Sequence, residues 1–474
     1  MTVMFWPVVI FMAISLAIGL YTYTQVQGSS KRYTVCGKAM PFLVVGTALA
    51  AQAIDGNATL GNTSLTYSRG AWAGFAIPLG LAASLFFVGK LLAAPLNQMN
   101  LLTLPEFFYR RYGRMPELLA SLLTVVCFLV LVAGNLSAVA WILSVVSGLS
   151  YGQSLALGAA VIFLYTIAGG LYAAIWTDFF QIHVAILGFV GAAVYTLATR
   201  GWSQVAAGLP AGALDLVQLS SPASGAIVNW AAILSLAFGN AMALDFMERV
   251  FSARTPATAK RACYYAGVWT IVIGLCASFL GLAAVSTVGA IDDPRMVLPV
   301  FATNHLPFAL GVMVFVGVLG ASMSTANGAM LVIAVVLARN LYQRWRKKAV
   351  SDRRMLFLSR ALALPTALVA GWIAFVRPEP GVLLVIAFDI VFAGCVIPLV
   401  FGLYWPRATP AGAVASIVAG TLARAVGHFA VPPAWAGLDT LLPPLFSGLA
   451  FFMASRMTEQ GVEDRSQELL CETP

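Results

Sequence analysis

Apolar stretches long enough to cross a lipid bilayer recur along the whole chain, and this feature constrains the fold more than any other. A helix needs about 20 apolar residues to span the hydrocarbon core of a bilayer. The 474-residue sequence contains about thirteen candidates, near 3–24, 41–68, 71–94, 116–146, 152–170, 174–198, 224–248, 264–289, 306–341, 356–376, 380–404, 411–428 and 440–455. The sequence therefore predicts an all-α polytopic membrane protein with about 13 transmembrane helices.

The scarcity of charged residues supports a lipid environment. Only 9% of the residues are charged and 60% are hydrophobic, whereas soluble domains carry about 25% charged residues. A net charge of +9 in a soluble chain would suggest nucleic-acid binding, but membrane proteins concentrate Lys and Arg on their cytoplasmic loops. We therefore expect the lipid bilayer, and no nucleic acid, to contact this surface.

Lys and Arg are distributed unequally between alternate loops. If the N-terminus lies outside, 22 of these residues fall on inner loops and 5 on outer loops, in keeping with the positive-inside rule. The apolar N-terminus lacks the basic segment of a signal peptide, so we interpret it as a retained span. These features predict a multi-pass protein with an outer N-terminus and a cytoplasmic C-terminus. The lack of targeting signals leads us to expect the plasma membrane (a bacterial inner membrane).

Polar residues and glycine interrupt two of the predicted spans. Asp55 and Asn57 flank a glycine in the span at 41–68, and Asn240 follows a glycine in the span at 224–248. Counted after the extra N-terminal span, these are helices 1 and 6, and the charge topology gives them opposite directions. Such matching breaks indicate the central site of a secondary transporter, because unwound backbone in a membrane needs polar partners. The alternative is two glycine kinks whose polar residues bond to neighbouring helices.

Five carboxylates fall within or at the ends of apolar spans, at Asp55, Asp178, Asp245, Glu248 and Asp389. Burying a carboxylate in a bilayer costs at least about 2.5 kcal/mol, so such residues are functional candidates. Asp55, Asp245 and Asp389 lie deepest and have no basic partner nearby in sequence. We predict that sodium, a proton or an amine solute compensates them; the alternative is hydrogen bonding to a neighbouring helix. The candidate solute ligands are Asp55, Asn57, Asn240, Asp245 and Asp389.

Several short motifs occur in the order found in one transporter family. They are Thr103-Leu104-Pro105-Glu106-Phe107, Tyr165-Thr166-Ile167-Ala168-Gly169-Gly170-Leu171, Trp176-Thr177-Asp178 with Gln181, Met323-Ser324-Thr325 and Ala338-Arg339-Asn340-Leu341-Tyr342. Together they resemble the sodium/solute symporter family from the first to the tenth core helix. The resemblance implies a LeuT-type 5+5 inverted repeat with broken helices 1 and 6, alternating access and sodium as the coupling ion.

The same resemblance divides the chain into four parts. Residues 1–30 would form an extra transmembrane helix and residues 31–405 the inverted-repeat core. Residues 406–456 would add two C-terminal transmembrane helices, and residues 457–474 a short cytoplasmic tail.

A sodium site between helices 1 and 8 is also implied by the resemblance. Its ligands on this chain would be the backbone oxygens or hydroxyl groups of Ala51, Ile54, Ala321, Ser324 and Thr325. Asp178 would line the inner exit path of the ion. Some family members hold a second sodium ion with hydroxyl groups one turn later, whereas this chain has Asn327 and Gly328 there.

Within the family, Arg249-Val250 and Asp389-Ile390-Val391-Phe392 resemble the choline-transporter branch. Quaternary amines are recognised by aromatic cages, but Ala243 stands where that branch would place a Trp. The buried acids favour a cationic or zwitterionic small organic solute, an amine or amino acid. Sugars, carboxylates and neutral amino acids remain open.

Two other functions compete with sodium-coupled symport. The chain could be a transporter-like solute sensor that acts through a separate signalling protein, or a symporter coupled to protons. An enzyme is not expected, because the sequence has no nucleophile elbow, HExxH motif or similar catalytic constellation. We expect no cofactor besides the coupling ion.

Overall fold

The computed structural model describes residues 4–346 and 350–459, and within them it is helical, without a strand. The helices that form the predicted spans are Phe5–Tyr21, Phe42–Ala53, Asn62–Arg69, Ala71–Phe87, Arg114–Ser147, Tyr151–Ala207, Ala226–Gly239, Leu244–Ser252, Pro256–Thr287, Phe308–Val336, Asp352–Val376, Pro380–Gly394, Val396–Tyr404, Pro410–Ala430 and Pro443–Met457. Further helices are Tyr23–Val26, Ser30–Val35, Ala93–Gln98, Pro105–Tyr112, Val217–Ser220, Val297–Asn304, Arg344–Arg346 and Leu438–Leu441. Single turns of other helix types are Cys36–Lys38, Asn57–Gly61, Val88–Leu92, Pro222–Ser224, Asn240–Met242, Pro294–Met296, Leu337–Gln343 and Pro433–Trp435.

We number the predicted spans α1 to α13 and give the broken ones two halves. The labels are α1 (Phe5–Tyr21), α2a (Phe42–Ala53), α2b (Asn62–Arg69), α3 (Ala71–Phe87), α4 (Arg114–Ser147), α5 and α6 (the two parts of Tyr151–Ala207), α7a (Ala226–Gly239), α7b (Leu244–Ser252), α8 (Pro256–Thr287), α9 (Phe308–Val336), α10 (Asp352–Val376), α11a (Pro380–Gly394), α11b (Val396–Tyr404), α12 (Pro410–Ala430) and α13 (Pro443–Met457).

A glycine separates α5 from α6. The helical segment Tyr151–Ala207 has 57 residues and would be about 85 Å long if straight, far more than a bilayer is thick. Gly170 interrupts it with φ +57° and ψ −139°, a conformation that glycine adopts readily. The sequence places the boundary between two spans at the same position.

The number of thirteen spans stays a prediction. Among the described residues, nine helices are long and apolar enough to cross a membrane, or up to eleven if each of two bent pairs is one span. The segments Phe42–Ala53 and Tyr151–Leu164 are apolar but shorter. Each predicted span nevertheless coincides with helical structure, although Val3 of the first lies outside the described residues.

Contacts between loops support the predicted alternation of the spans. Span ends and loops predicted to lie inside contact one another, through the pairs Arg339–Ser30, Asn340–Glu117 and Arg111–Gly402. Loops predicted to lie outside do the same, through Gln218–Arg69 and Arg295–Pro378. The contacts sort the loops onto two faces, while the direction of the chain in the membrane stays a prediction. Three cations counted for that prediction, Lys347, Lys348 and Arg465, lie outside the described residues.

Both predicted helix breaks are present. The helix α2a ends at Ala53, and Ile54 leaves the helical conformation with ψ 57° before helical structure resumes at Asn57. The helix α7a ends in the turn Asn240–Met242, and the chain bends by 48° before α7b. Both breaks pack against α3 and α11a, so the two interruptions face the same pair of helices.

Candidate functional site

The carboxylate of Asp55 lies at the break in α2 and receives three hydrogen bonds. The Asn57 and Asn135 amides each donate to Oδ2 at 2.7 Å, and the backbone N–H of Ala58 donates to Oδ1 at 2.8 Å. The last contact caps the helical turn that follows, because the first N–H groups of a helix lack internal partners. Asp55 is 1% exposed. Hydrogen bonding to a neighbouring helix, the alternative considered from the sequence, therefore accounts for part of its stabilisation.

Three buried amide oxygens near the breaks lack donors. The Oδ1 atoms of Asn57, Asn135 and Asn240 have no hydrogen-bond partner among the described residues. Their orientation is fixed, because the nitrogen of each amide donates elsewhere: to Asp55 from the first two, and to Leu236 O at 2.9 Å from Asn240. Buried acceptors without donors are costly, so these oxygens are suited to a ligand that carries N–H groups.

Asn135 was not among the residues that the sequence singled out. It lies in the middle of α4 and is fully buried. A search for amides inside apolar spans, extended beyond the two broken helices, would have included it. The contact with Asp55 could not be read from sequence because 80 residues separate the two positions.

The second break places Asp245 in the first turn of α7b. Its Oδ1 accepts from the backbone N–H of Phe246 at 2.8 Å, and its carboxylate lies close enough to Asp55 for the two charges to interact. The side-chain amide of Gln52 satisfies both neighbours when its nitrogen faces Asp245 and its oxygen faces Arg249. In this orientation the nitrogen donates to Asp245 Oδ2 at 3.1 Å and the oxygen accepts from Arg249 Nη2 at 2.8 Å. The ends of α2a and α7b are thus joined by one amide.

Asp178 and Arg249 form a buried ion pair beside this junction. The Nη2 and Nε atoms of Arg249 donate to Oδ2 of Asp178 at 2.7 and 3.1 Å, and neither side chain is exposed. Ser324 of α9 donates to the other carboxylate oxygen. Arg249 was counted with the cytoplasmic loop charges; this interpretation is wrong, because the guanidinium lies inside the helix bundle, paired with Asp178 of α6.

The predicted sodium ligands fit an ion in part. The hydroxyl oxygen of Thr325 is buried without a partner among the described residues, although helical Thr commonly bonds to its own backbone. Ala51 and Ile54 lie at the open end of α2a, where carbonyl groups lose their helical partners. Ala321 lies one turn before Thr325 in an uninterrupted helix, while Ser324 is engaged by Asp178.

Close packing brings α2 and α9 together at the same place. A methyl group at Gly56 would lie 1.9 Å from Oγ of Ser322 and 2.7 Å from Cβ of Ala138. One turn beyond Ser324, a methyl group at Gly328 would lie 3.3 Å from the guanidinium of Arg249. The arginine thus occupies the side of α9 where a second ion would need a hydroxyl group, which lends no support to a second sodium ion.

Asp389 lies apart from these residues and has a basic partner. Arg424 of α12 pairs with its Oδ2, and the Thr440 hydroxyl donates to the same atom at 3.0 Å. Arg424 also pairs with Asp439 at 3.0 Å. The expectation that a bound cation compensates Asp389 is wrong for this conformation, because an arginine that is distant in sequence supplies the charge. Its role as a solute ligand stays a prediction.

Comparisons with known proteins relate this chain to sodium-coupled transporters. The chain is 26% identical to the sodium/proline symporter of Haemophilus influenzae, over 95% of this chain and 93% of that protein. It is 23% identical to the high affinity choline transporter 1 of Homo sapiens, over 89% of this chain and 76% of that protein. The structure matches that of a Na⁺-coupled sialic acid symporter in an outward-open state with a TM-score of 0.81, at 15% identity and over 96% of this chain and 98% of the other.

The structural match confirms the predicted LeuT-type fold with its broken first and sixth core helices. The sequence model of the sodium:solute symporter family covers residues 33–420, which include both breaks, the Asp178–Arg249 pair and Thr325. That range is well over half of the chain. Since the family and the relatives are transporters, the protein is not an enzyme. Because the sequence model of that family matches most of the sequence, from residue 33 to residue 420, this chain belongs to the sodium:solute symporter family.

Proposed function

We propose that this protein couples the inward movement of sodium to the uptake of a small cationic or zwitterionic solute that carries N–H groups, such as an amino acid. Sodium coupling is supported by membership of the family and by relatives named as sodium symporters. The solute class is carried by one observation: the amides of Asn57 and Asn135, whose nitrogens donate to the buried carboxylate of Asp55, have oxygens without a donor among the described residues.

An N–H donor satisfies this site better than a quaternary amine does. A primary or secondary ammonium group can donate to a carboxylate such as Asp55 and to amide oxygens, and such charge-assisted hydrogen bonds are stronger than neutral ones. A quaternary amine has no N–H group and depends on aromatic faces. The break in α7 offers Ala243 rather than an aromatic side chain. The proposal therefore places an amino acid ahead of choline.

Sodium would act by joining α2 to α9. Ala51 and Ile54 would contribute carbonyl oxygens and Thr325 a hydroxyl group, which are the oxygen ligands that hard cations prefer. An ion held there restrains the end of α2a, and Asp55 follows Ile54 directly in the chain. Bound sodium thus orders the solute site and raises the solute affinity, and by linkage the solute raises the sodium affinity by the same factor.

The membrane orientation completes the proposal. The excess of Lys and Arg on one set of loops assigns that face to the cytoplasm by the positive-inside rule. The N-terminus then lies outside and the C-terminus inside a plasma membrane, as in the inner membrane of bacteria. Labelling of single cysteines introduced at Arg69 and Arg353 with an impermeant reagent in intact cells tests it, because only the first position should react.

The experiment that tests the function is uptake into proteoliposomes. Labelled amino acids, amines, carboxylates and sugars are offered with an inward gradient of sodium, of potassium or of protons. We expect accumulation of one amino acid or amine that requires the sodium gradient. Accumulation driven by protons alone would instead establish proton coupling, and sodium-dependent binding without accumulation would establish a sensor.

A further inference from the structure

Glu248 is a buried acid that the proposed transport site does not use. It lies on α7b, all nine residues of which are buried. The side chain is 2% exposed, and neither carboxylate oxygen has a hydrogen-bond partner among the described residues. The other acids of this region differ: Asp178, Asp245 and Asp55 each accept hydrogen bonds.

The adjacent guanidinium is committed to other groups. Arg249 directs Nε and Nη2 to Asp178, and Nη1 donates to the backbone oxygen of Asp245 at 3.0 Å. The single buried cation of α7b thus donates hydrogen bonds to only one of its three neighbouring carboxylates, that of Asp178. A charge on Glu248 would have no hydrogen-bonded counter-ion among the described residues.

The helices packed against α7b supply no further cation to Glu248. Three of them (α2a, Ala93–Gln98 and α9) contain no titratable side chain. The segments Ser30–Val35 and Cys36–Lys38 place Tyr33 and Cys36 near Glu248, and Lys38 donates to Asn97 O at 2.7 Å instead. The guanidinium of Arg360 on α10 lies over the aromatic ring of Tyr33, 5.6 Å from the ring centroid. The remaining cations of these elements, Lys31, Arg32, Lys260 and Arg261, are exposed.

A buried carboxylate in such surroundings cannot stay ionised at low cost. Transfer of an isolated carboxylate from water to a protein interior costs so much that the group takes up a proton instead. A transition-metal ion is a poor alternative, because no cluster of three or more His, Cys, Asp or Glu side chains in the described part of the chain could hold one. A proton needs no such cluster.

We propose that Glu248 is a proton-binding site of this transporter, occupied in the present conformation by one proton on the carboxyl group. In the orientation proposed above, α7b is the cytoplasmic half of its helix and leads to the exposed Arg254. When that half is hydrated, the O–H bond of the carboxylic acid breaks, the proton passes to cytoplasmic water and the carboxylate remains. The site therefore makes the exposure of the inner half depend on cytoplasmic pH. This role goes beyond sodium-coupled uptake and does not depend on the identity of the solute.

Infrared spectroscopy of the lipid-reconstituted wild-type protein tests the proposal directly. Labelling all glutamate with ¹³C shifts the carbonyl band of any protonated Glu and leaves the bands of protonated Asp unchanged. We expect one Glu-derived band of a protonated carboxylic acid at neutral pH, and its loss in Glu248→Gln. A labelled spectrum with only carboxylate bands would overturn the proposal, and it needs no variant to fold.

Glu117→Gln is the matched control. Glu117 is equally buried, but it accepts from Asn340 at 2.8 Å and lies 3.4 Å from Arg344, so its replacement should remove a carboxylate band and lower thermal stability. Glu248→Gln should preserve the melting temperature and its increase by sodium. Loss of that increase in Glu248→Gln would overturn the proposal in favour of a metal-cation site. Neither readout requires transport, so failure here and failure of the proposed symport are distinguishable.

Discussion

Arg249 Nη2 lies 2.7 Å from Oδ2 of Asp178, and both side chains are fully buried. The pair joins α7b, the second half of a broken helix, to α6. Since Ser324 of α9 bonds to the same carboxylate, one aspartate connects three helices around the region where the breaks meet. The Asp178–Arg249 pair therefore holds α6, α7b and α9 together, and we expect its removal to lower the stability of the protein.

Removing one member of this pair should destabilise the protein more than removing both. Arg249→Met leaves an uncompensated buried carboxylate, which typically costs about 3–5 kcal/mol. Combining it with Asp178→Asn removes the charge and should recover part of that loss. Thermal unfolding in detergent micelles measures both. Arg407→Met is the control, because the Arg407–Glu459 pair is exposed and such pairs contribute little. A double variant less stable than Arg249→Met would contradict the prediction.

Thr325→Val should weaken sodium activation of uptake with little effect on folding. The substitution keeps the shape of the side chain and removes the one buried hydroxyl oxygen of this turn that has no partner among the described residues. We expect the sodium concentration for half-maximal uptake to rise about 10-fold, equivalent to about 1.4 kcal/mol, with solute affinity restored at saturating sodium. Thr270→Val is the control, since that buried hydroxyl bonds to Ala266 O at 2.8 Å. Equal effects of the two variants would remove Thr325 from the sodium site.

Asp55→Asn should weaken binding of an N–H-bearing solute by about 10- to 100-fold, because hydrogen bonds to a charged group contribute about 1.5–3 kcal/mol. The measurement is equilibrium binding of the solute found in the uptake screen, at saturating sodium. Asp293→Asn is the matched control, an acid paired with Arg295 at 2.7 Å on the predicted outer side. Unchanged affinity in Asp55→Asn would limit Asp55 to capping the helical turn after the break.

Gly56→Ala should prevent the close approach of α2 and α9. The added methyl group would lie 1.9 Å from Ser322 Oγ, and such overpacking costs about 1–3 kcal/mol. Adding Ser322→Ala should recover part of the stability but not all, because Ala138 is also close. Gly371→Ala is the control: a methyl group added there on α10 would have no described atom within 4 Å outside the adjoining backbone of its own helix, and the change should stabilise the helix by about 0.5–1 kcal/mol. Wild-type thermal stability and uptake in Gly56→Ala would contradict the packing.

Asp389→Asn tests the one predicted solute ligand that lies apart from the others. Its pairing with Arg424 leads us to expect lower thermal stability and a solute affinity within about 2-fold of the wild type, a difference of about 0.4 kcal/mol. Arg424→Met should have the same profile, because it breaks the same pair. A selective loss of solute affinity in Asp389→Asn alone would return this residue to the solute site.

Much of the architecture could be read from the sequence because lipid leaves few choices. Backbone groups in a bilayer must be satisfied internally, so apolar stretches of the right length predict helices, and Gly with Asp or Asn inside them predicts breaks. The interruptions at Asp55 and Asn240 were found in this way. The same rule could not separate full spans from shorter apolar helices, such as Phe42–Ala53, because its measure is length alone.

The sequence by itself determined the membrane environment, the two broken helices and the family, since these depend on local composition and on short motifs. Only the tertiary structure decided which polar groups meet: Arg249 with Asp178, Arg424 with Asp389, Asn135 with Asp55, and none of the described residues with Glu248. Inside a membrane, such pairing sets whether an acid is neutralised by arginine, by hydrogen bonds or by a proton. Partners separated by 35 to 80 residues in the sequence become neighbours only when the helices pack. No local sequence pattern indicates which of these residues will come into contact.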